Sequence, residues 1–157
     1  MKENGHPKNL ELVKTIILNG QIESCMTNDE NYSTIGIVVK QKVRRLNGCT
    51  EETVVDSFPF SKRMAEECEW LDKYVNIQML TGTEPIDLDH IDETKIVSMM
   101  GESDSRYYHC YSELSGYLWT EETFKCGGHD LLKILHSHEG EYIHMEIELF
   151  RRKRDKK

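Results

Sequence analysis

The segment from Tyr142 to Phe150 constrains the fold most, because its side chains alternate strictly between apolar and polar types. Successive side chains of a strand point to opposite faces of a sheet, so this pattern predicts a strand with one buried face. The predicted core residues are Ile143, Met145, Ile147 and Leu149, and the predicted outward residues are Tyr142, His144, Glu146 and Glu148. This strand needs other elements to cover its apolar face.

Two Asn-Gly pairs, Asn19-Gly20 and Asn47-Gly48, punctuate an N-terminal region rich in β-branched residues. Asn-Gly between two β-prone runs favours a type I′ hairpin turn, which requires positive φ at both positions. We therefore expect residues 10–60 to form a meander of about four antiparallel strands.

The apolar period changes after Ser61, which we expect to cap a helix. The apolar positions of this helix recur at spacings of four, three and four residues, at Met64, Cys68, Leu71 and Val75. Alternation at Val75, Ile77 and Met79 predicts a strand that ends at Gly82.

The segments between these elements and the C-terminal strand give weaker signals. Residues 84–93 carry five acidic side chains and favour a solvated turn or short helix; 96–100 and 107–119 favour strands, and 101–106 a polar turn. A further short helix is expected to open at His129 or Asp130 and to close at Gly140. The sequence thus predicts one α+β domain over residues 1–150, mainly antiparallel sheet with two or three short helices packed on it. Residues 151–157 are expected to be a flexible basic tail.

Charge is distributed unevenly along the 157 residues, whose formal net charge is −8. Residues 151–157 carry six basic side chains and one acidic side chain, which leaves residues 1–150 with 14 basic and 27 acidic side chains, a net −13. Such a body repels nucleic-acid phosphate, so we expect no direct duplex binding by it and a protein partner with a basic surface instead.

Cysteine usage and hydropathy indicate the compartment. The five cysteines are odd in number and widely spaced, with no Cys-x-x-Cys pair, which is typical of reduced thiols. No apolar run approaches the roughly 18 residues that span a bilayer. We therefore expect a cytoplasmic protein that does not enter a membrane.

The densest group of chemically active side chains lies between residues 126 and 144. It comprises Cys126, His129, His136, His138 and His144. Zinc requires four tetrahedral ligands, usually from two tight pairs, and only the Cys126-x-x-His129 half has a suitable spacing. We expect no metal, no cofactor and no convergence of the five side chains.

The alternative is a small enzyme or metal-binding protein centred on Cys126. A thiol near a helix N-terminus is a candidate nucleophile, for which His109, His138 or His144 could act as base. Cys110 beside His109 is a second pairing. Because no recognised catalytic constellation accompanies these residues, we assign no catalytic residue.

The leading hypothesis is a non-enzymatic interaction protein that acts through its acidic surface on a basic partner. A specific version is a small inhibitor or adaptor, of the kind that phages and mobile elements encode, which occupies the groove of a nucleic-acid-binding protein. Exposed aromatic residues are the expected anchors of such an interface. They are Tyr107, Tyr108, Tyr111, Tyr117 and Trp119.

Overall fold

The computed structural model of the protein describes residues 9–26, 33–68, 74–112, 114 and 117–152, with the backbone alone described at 26, 108–112, 117–120 and 152. Within these ranges the chain forms eight strands, two α-helices and one 3-10 turn. The strands are β1 (Leu10–Met26), β2 (Ser33–Arg44), β3 (Thr50–Pro59), β4 (Tyr74–Gly82), β5 (Val97–Ser112), β6 (Tyr117–Cys126), β7 (His129–Asp130) and β8 (Tyr142–Arg152). The helices are α1 (Phe60–Glu67) and α2 (Leu131–Ser137), and the 3-10 turn is Glu93–Lys95.

All eight strands belong to one antiparallel sheet in the order β3-β2-β1-β8-β4-β5-β6-β7. Strands β1 to β3 are consecutive neighbours, which confirms the N-terminal meander, although it has three strands rather than four. The architecture is an α+β fold in which the sheet dominates and the two helices are short.

The sheet curls around the two helices. Both α1 and α2 contact β2, near one end of the strand order, and β6, near the other end. Phe60 at the start of α1 packs edge-to-face on Phe124 of β6, with ring centroids 5.3 Å apart, and lies 5.9 Å from the Phe58 ring. A flat sheet could not bring its two ends to the same helix, so the core lies inside the curl.

The predicted alternation of the last strand is confirmed. Its four predicted core residues are buried, and they share the core with Met64 of α1 and with Leu131 and Leu135 of α2. The other side of this strand belongs to the outer face of the sheet, away from the helices.

The predicted hairpin at Asn19-Gly20 is wrong, because β1 runs unbroken through both residues. At this point β1 changes neighbours: it pairs with β8 up to Gln21 and with β2 from Gln21 onward. A Cβ on Gly20 would lie 2.2 Å from the Val38 carbonyl oxygen. Gly20 therefore permits a close backbone approach inside a strand rather than a turn.

The predicted helix after Ser61 is shorter than its apolar period suggested. Helix α1 ends at Glu67, and Val75 lies in β4 rather than in the helix. Leu71 lies outside the described residues. The alternation of Val75, Ile77 and Met79 is confirmed, since all three are buried in β4.

The predicted polar turn at 101–106 is wrong, because these residues lie within strand β5. Gly101 has φ +149°, and a Cβ there would lie 3.1 Å from the Cα of Gly127. Two glycines thus let the backbones of β5 and the β6–β7 turn approach closely while the strand continues.

The C-terminal unit matches its prediction in part. Asp130 caps α2, as expected, by accepting a hydrogen bond from the Lys133 backbone amide at 3.2 Å. His129, the other candidate for the start of the helix, precedes the cap in β7. The helix ends at Ser137, so Gly140 belongs to the following turn, where it has φ +92°. Strand β8 extends through Arg152, and residues 153–157 lie outside the described residues.

Candidate interaction surface

The side chains of the Cys/His group do not converge. Cys126 is fully buried in the core, and its Sγ donates to the Val75 carbonyl at 3.8 Å. His129 and His136 are exposed, His138 contacts Glu141 at 3.1 Å, and His144 lies on the outer face of β8. In the part of the chain that the structure describes, no three Cys, His, Asp or Glu side chains are placed to hold a metal ion.

The environment of Cys126 opposes nucleophilic chemistry. Burial raises the pKa of the Cys126 thiol to about 11, and the nearby Cys68 contributes to the increase. Helix α2 begins at Leu131, so Cys126 is not at its N-terminus. The side chains of His109 and Cys110, the second candidate pair, lie outside the described residues.

Glu122 forms a polar bridge that sequence reasoning missed. Glu122 is half-buried, and its Oε1 accepts hydrogen bonds from Thr34 and Ser61. Ser61 was expected to cap α1; instead Pro59 occupies the cap position, and the buried Ser61 hydroxyl donates to Glu122. This bridge joins β2, α1 and β6, so its role is to hold the curl closed.

Rows of paired residues cross the outer face of the central strands. Ile17 of β1 lies beside Glu146 of β8, which lies beside Gln78 of β4. In the next row Glu148 accepts a hydrogen bond from the side-chain amide of Asn76 at 2.9 Å. Ile17 has 61% of its surface exposed. The centre of this face therefore presents two carboxylates beside an apolar side chain.

His144 is the one residue of the Cys/His group that the outer face holds firmly. Its Nδ1 accepts a hydrogen bond from the side-chain amide of Asn19, and its Nε2 donates one to the Glu146 carboxylate, each at 2.9 Å. Although it points away from the core, as its position in the strand predicts, only 8% of its surface is exposed. Both ring nitrogens are occupied, so its geometry is that of a structural histidine.

Residues 83–96, here called the acidic loop, cover His144. Leu88, Ile91 and Ile96 line a small cavity of about 80 Å³ together with His144 and Glu146. The loop thus packs its apolar residues against the outer face, while its five acidic side chains remain exposed.

Hydrogen bonds inside the acidic loop lower the pKa of two of its five carboxylates. The contacts of Asp87 with the His90 ring at 2.8 Å and with the Asp89 amide at 3.0 Å lower its pKa. Asp92 accepts from the hydroxyl and amide of Thr94, and these bonds lower its pKa as well. Asp87 and Asp92 therefore remain ionised to a lower pH than ordinary aspartates do.

We call the acidic loop and the neighbouring β8 carboxylates the acidic face. Together with Ile17 of β1, which pairs with Glu146, this face carries seven carboxylates and three exposed apolar side chains, and residues 83–96 contain one lysine, Lys95. The carboxylates are Glu84, Asp87, Asp89, Asp92, Glu93, Glu146 and Glu148, and the apolar residues are Ile17, Leu88 and Ile91. The combination of carboxylates with exposed apolar side chains makes this face the candidate interaction surface.

The predicted aromatic anchors do not contribute to this face in any described way. Tyr107 is half-buried and its hydroxyl is enclosed. The side chains of Tyr108, Tyr111, Tyr117 and Trp119 lie outside the described residues. The sequence signal that could have indicated this candidate face is the interspersion of Leu88 and Ile91 among the acidic residues of 84–93.

The chain matches no protein-family model, no curated protein and no solved structure. Among the described residues, no helix is long and apolar enough to cross a membrane.

Proposed function

We propose that this chain is a non-enzymatic interaction protein that binds a basic protein partner through its acidic face. The observation that carries the proposal is the packing of the acidic loop beside Glu146, which places exposed Leu88 and Ile91 among ionised carboxylates. Charged groups around such a patch steer association and set its salt dependence, while the apolar groups supply buried contact area.

A nucleic-acid-binding groove is one kind of surface that fits this proposal, because it is basic and open to an acidic competitor. Occupation of such a groove would make the chain a small inhibitor or adaptor, in the manner of proteins that phages and mobile elements encode. The reduced cysteines favour a cytoplasmic partner.

The test compares two triple variants that have the same net charge. Glu84→Lys/Asp89→Lys/Glu93→Lys reverses three exposed loop carboxylates, none of which has a side-chain hydrogen bond with another described residue. Glu102→Lys/Glu121→Lys/Glu139→Lys reverses three exposed carboxylates outside the acidic face. Affinity capture from native lysate with both variants and the wild type should yield a protein that only the loop variant loses.

The captured protein is then titrated against the wild type at increasing salt. We expect its affinity to fall steeply as salt screens the carboxylates. Equal loss of binding in the two variants would show that net charge alone drives association, and binding that is indifferent to both would contradict the proposal.

A further inference from the structure

Strands β2 and β3 project beyond the body as a two-stranded arm. β1 pairs with β2 only as far as Val38, so from Lys40 onward β2 has β3 as its only strand partner among the described residues. Almost every side chain of residues 41–56 is exposed, on both sides of the arm. An isolated two-stranded hairpin is only marginally stable in water, so a further contact would stabilise this arm.

The arm has two sides, and the side that is continuous with the outer face of the sheet is mainly basic. Lys40, Lys42 and Arg44 alternate along β2 and therefore point to the same side. Lys40 binds Glu23 at 2.6 Å, whereas Lys42 and Arg44 are exposed and form no salt bridge with another described residue. Exposed Val54, the pairing partner of Lys40, adds an apolar group to this side, and exposed Glu52, the pairing partner of Lys42, adds one carboxylate against the three basic side chains.

The basic side of the arm and the acidic loop stand on opposite sides of one groove. Its volume is about 380 Å³, and its floor is formed by outer-face residues such as Asn19, Gln21 and Tyr142. Lys40, Lys42 and Glu52 of the arm line one wall, and Pro85 at the start of the acidic loop lines the other. A single face thus carries a positive half and a negative half.

A face divided in this way is complementary to itself. When two identical faces meet about a two-fold axis, the positive half of each lies against the negative half of the other. We propose that two copies of this chain pack outer face to outer face, with the arm of each on the acidic loop of the other. Exposed Ile17, which lies on β1 between the arm and the loop, falls near the axis.

This inference rests on the proposed function, since it names a second copy as a basic partner of the acidic face. A second copy is favoured over an unrelated protein because each copy carries both the basic arm and the acidic loop. A single dimer contact therefore places each arm against an acidic loop. The contact would also cover Val54, Leu88 and Ile91, which a monomer leaves exposed.

Two charge-reversed variants test the proposal by sedimentation velocity at about 0.05 M salt, where screening is weak. The arm variant is Lys42→Glu/Arg44→Glu, and the loop variant is Glu84→Lys/Asp89→Lys/Glu93→Lys, which changes the charge of residues 83–96 from −4 to +2. The wild type should form dimers as its concentration rises, and each variant alone should associate at least about tenfold more weakly. Glu121→Lys/Glu139→Lys, which reverses two carboxylates away from the face, should dimerise like the wild type.

Mixing the two variants is the decisive step. The arm variant has two negative halves and the loop variant has two positive halves, so each repels itself and attracts the other. An equimolar mixture should therefore regain the dimer, a result that a misfolded variant could not give. A mixture that stays monomeric, or a wild type that stays monomeric at several hundred micromolar, overturns the inference. If the capture experiment still finds a partner that needs the acidic loop, the proposed function stands without it.

Discussion

At the scale of single residues, the environment of Cys126 shows whether its thiol can act as a nucleophile or only packs in the core. Its sequence neighbours, two glycines and His129, are those of a reactive thiol, but its side chain points into the core and donates to Val75. Desolvation penalises the thiolate, which is the nucleophilic form, and so raises the pKa to about 11. Cys25, also buried, has its pKa raised to about 11 by the same cause.

Thiol alkylation measures this difference directly. Cys49 lies exposed at the tip of the arm and should react with iodoacetamide at neutral pH at the rate of a free model thiol. Cys25 and Cys126 should react at least about a hundredfold more slowly in the folded protein, because about two pKa units leave a hundredfold less thiolate and burial blocks access. Mass mapping assigns the label to each cysteine, and unfolding in urea should equalise the rates. Labelling of Cys126 as fast as Cys49 in the native state would restore the enzyme hypothesis.

At the scale of elements, identical local signals have opposite outcomes at the two Asn-Gly pairs. Asn47-Gly48 does lie in the turn between β2 and β3, where Gly48 has φ +89° and its amide donates to the Arg45 carbonyl at 3.0 Å, but Asn47 lacks the positive φ of the expected type I′ turn. Asn19-Gly20 lies within a 17-residue strand. The difference comes from residues distant in sequence, Val38 and Ile143, which flank Gly20 in space. Local pattern therefore predicted the strands well and their connections poorly.

The substitution Gly20→Ala tests the role of this glycine. A Cβ at this position would lie 2.2 Å from a backbone oxygen, so β1 or β2 must shift. We expect a loss of about 1–3 kcal/mol in the free energy of unfolding, measured by urea denaturation. Gly82→Ala is the matched control, because its Cβ would meet nothing closer than 3.6 Å. It should change the stability by about 0.5 kcal/mol or less. Equal effects of the two substitutions would refute the close-approach explanation.

At the scale of the whole molecule, the curl of the sheet determines which residues become functional candidates. The alternation of β8 predicted correctly that Glu146 and His144 point away from the core. It could not predict that the acidic loop would fold over His144, or that Glu122 would meet Thr34 from the other end of the sheet. Both contacts join segments far apart in the chain, and their partners are common surface residue types. The acidic character of the molecule was therefore readable from sequence, whereas the acidic face was not.

The Glu122 bridge supplies the last prediction, because it tests whether the two ends of the sheet are held together by a polar contact. Glu122→Ala leaves the Thr34 hydroxyl and the buried Ser61 hydroxyl without this acceptor, and hydrogen bonds to a charged group contribute about 1.5–3 kcal/mol each. We expect a loss of about 2–4 kcal/mol in the free energy of unfolding, accompanied by faster amide hydrogen exchange in both β2 and β6. Glu121→Ala, which removes the exposed neighbouring carboxylate, should leave both measurements nearly unchanged. Exchange that accelerates in β6 alone would mean that β2 is held by apolar packing on α1, and that Glu122 does not close the curl.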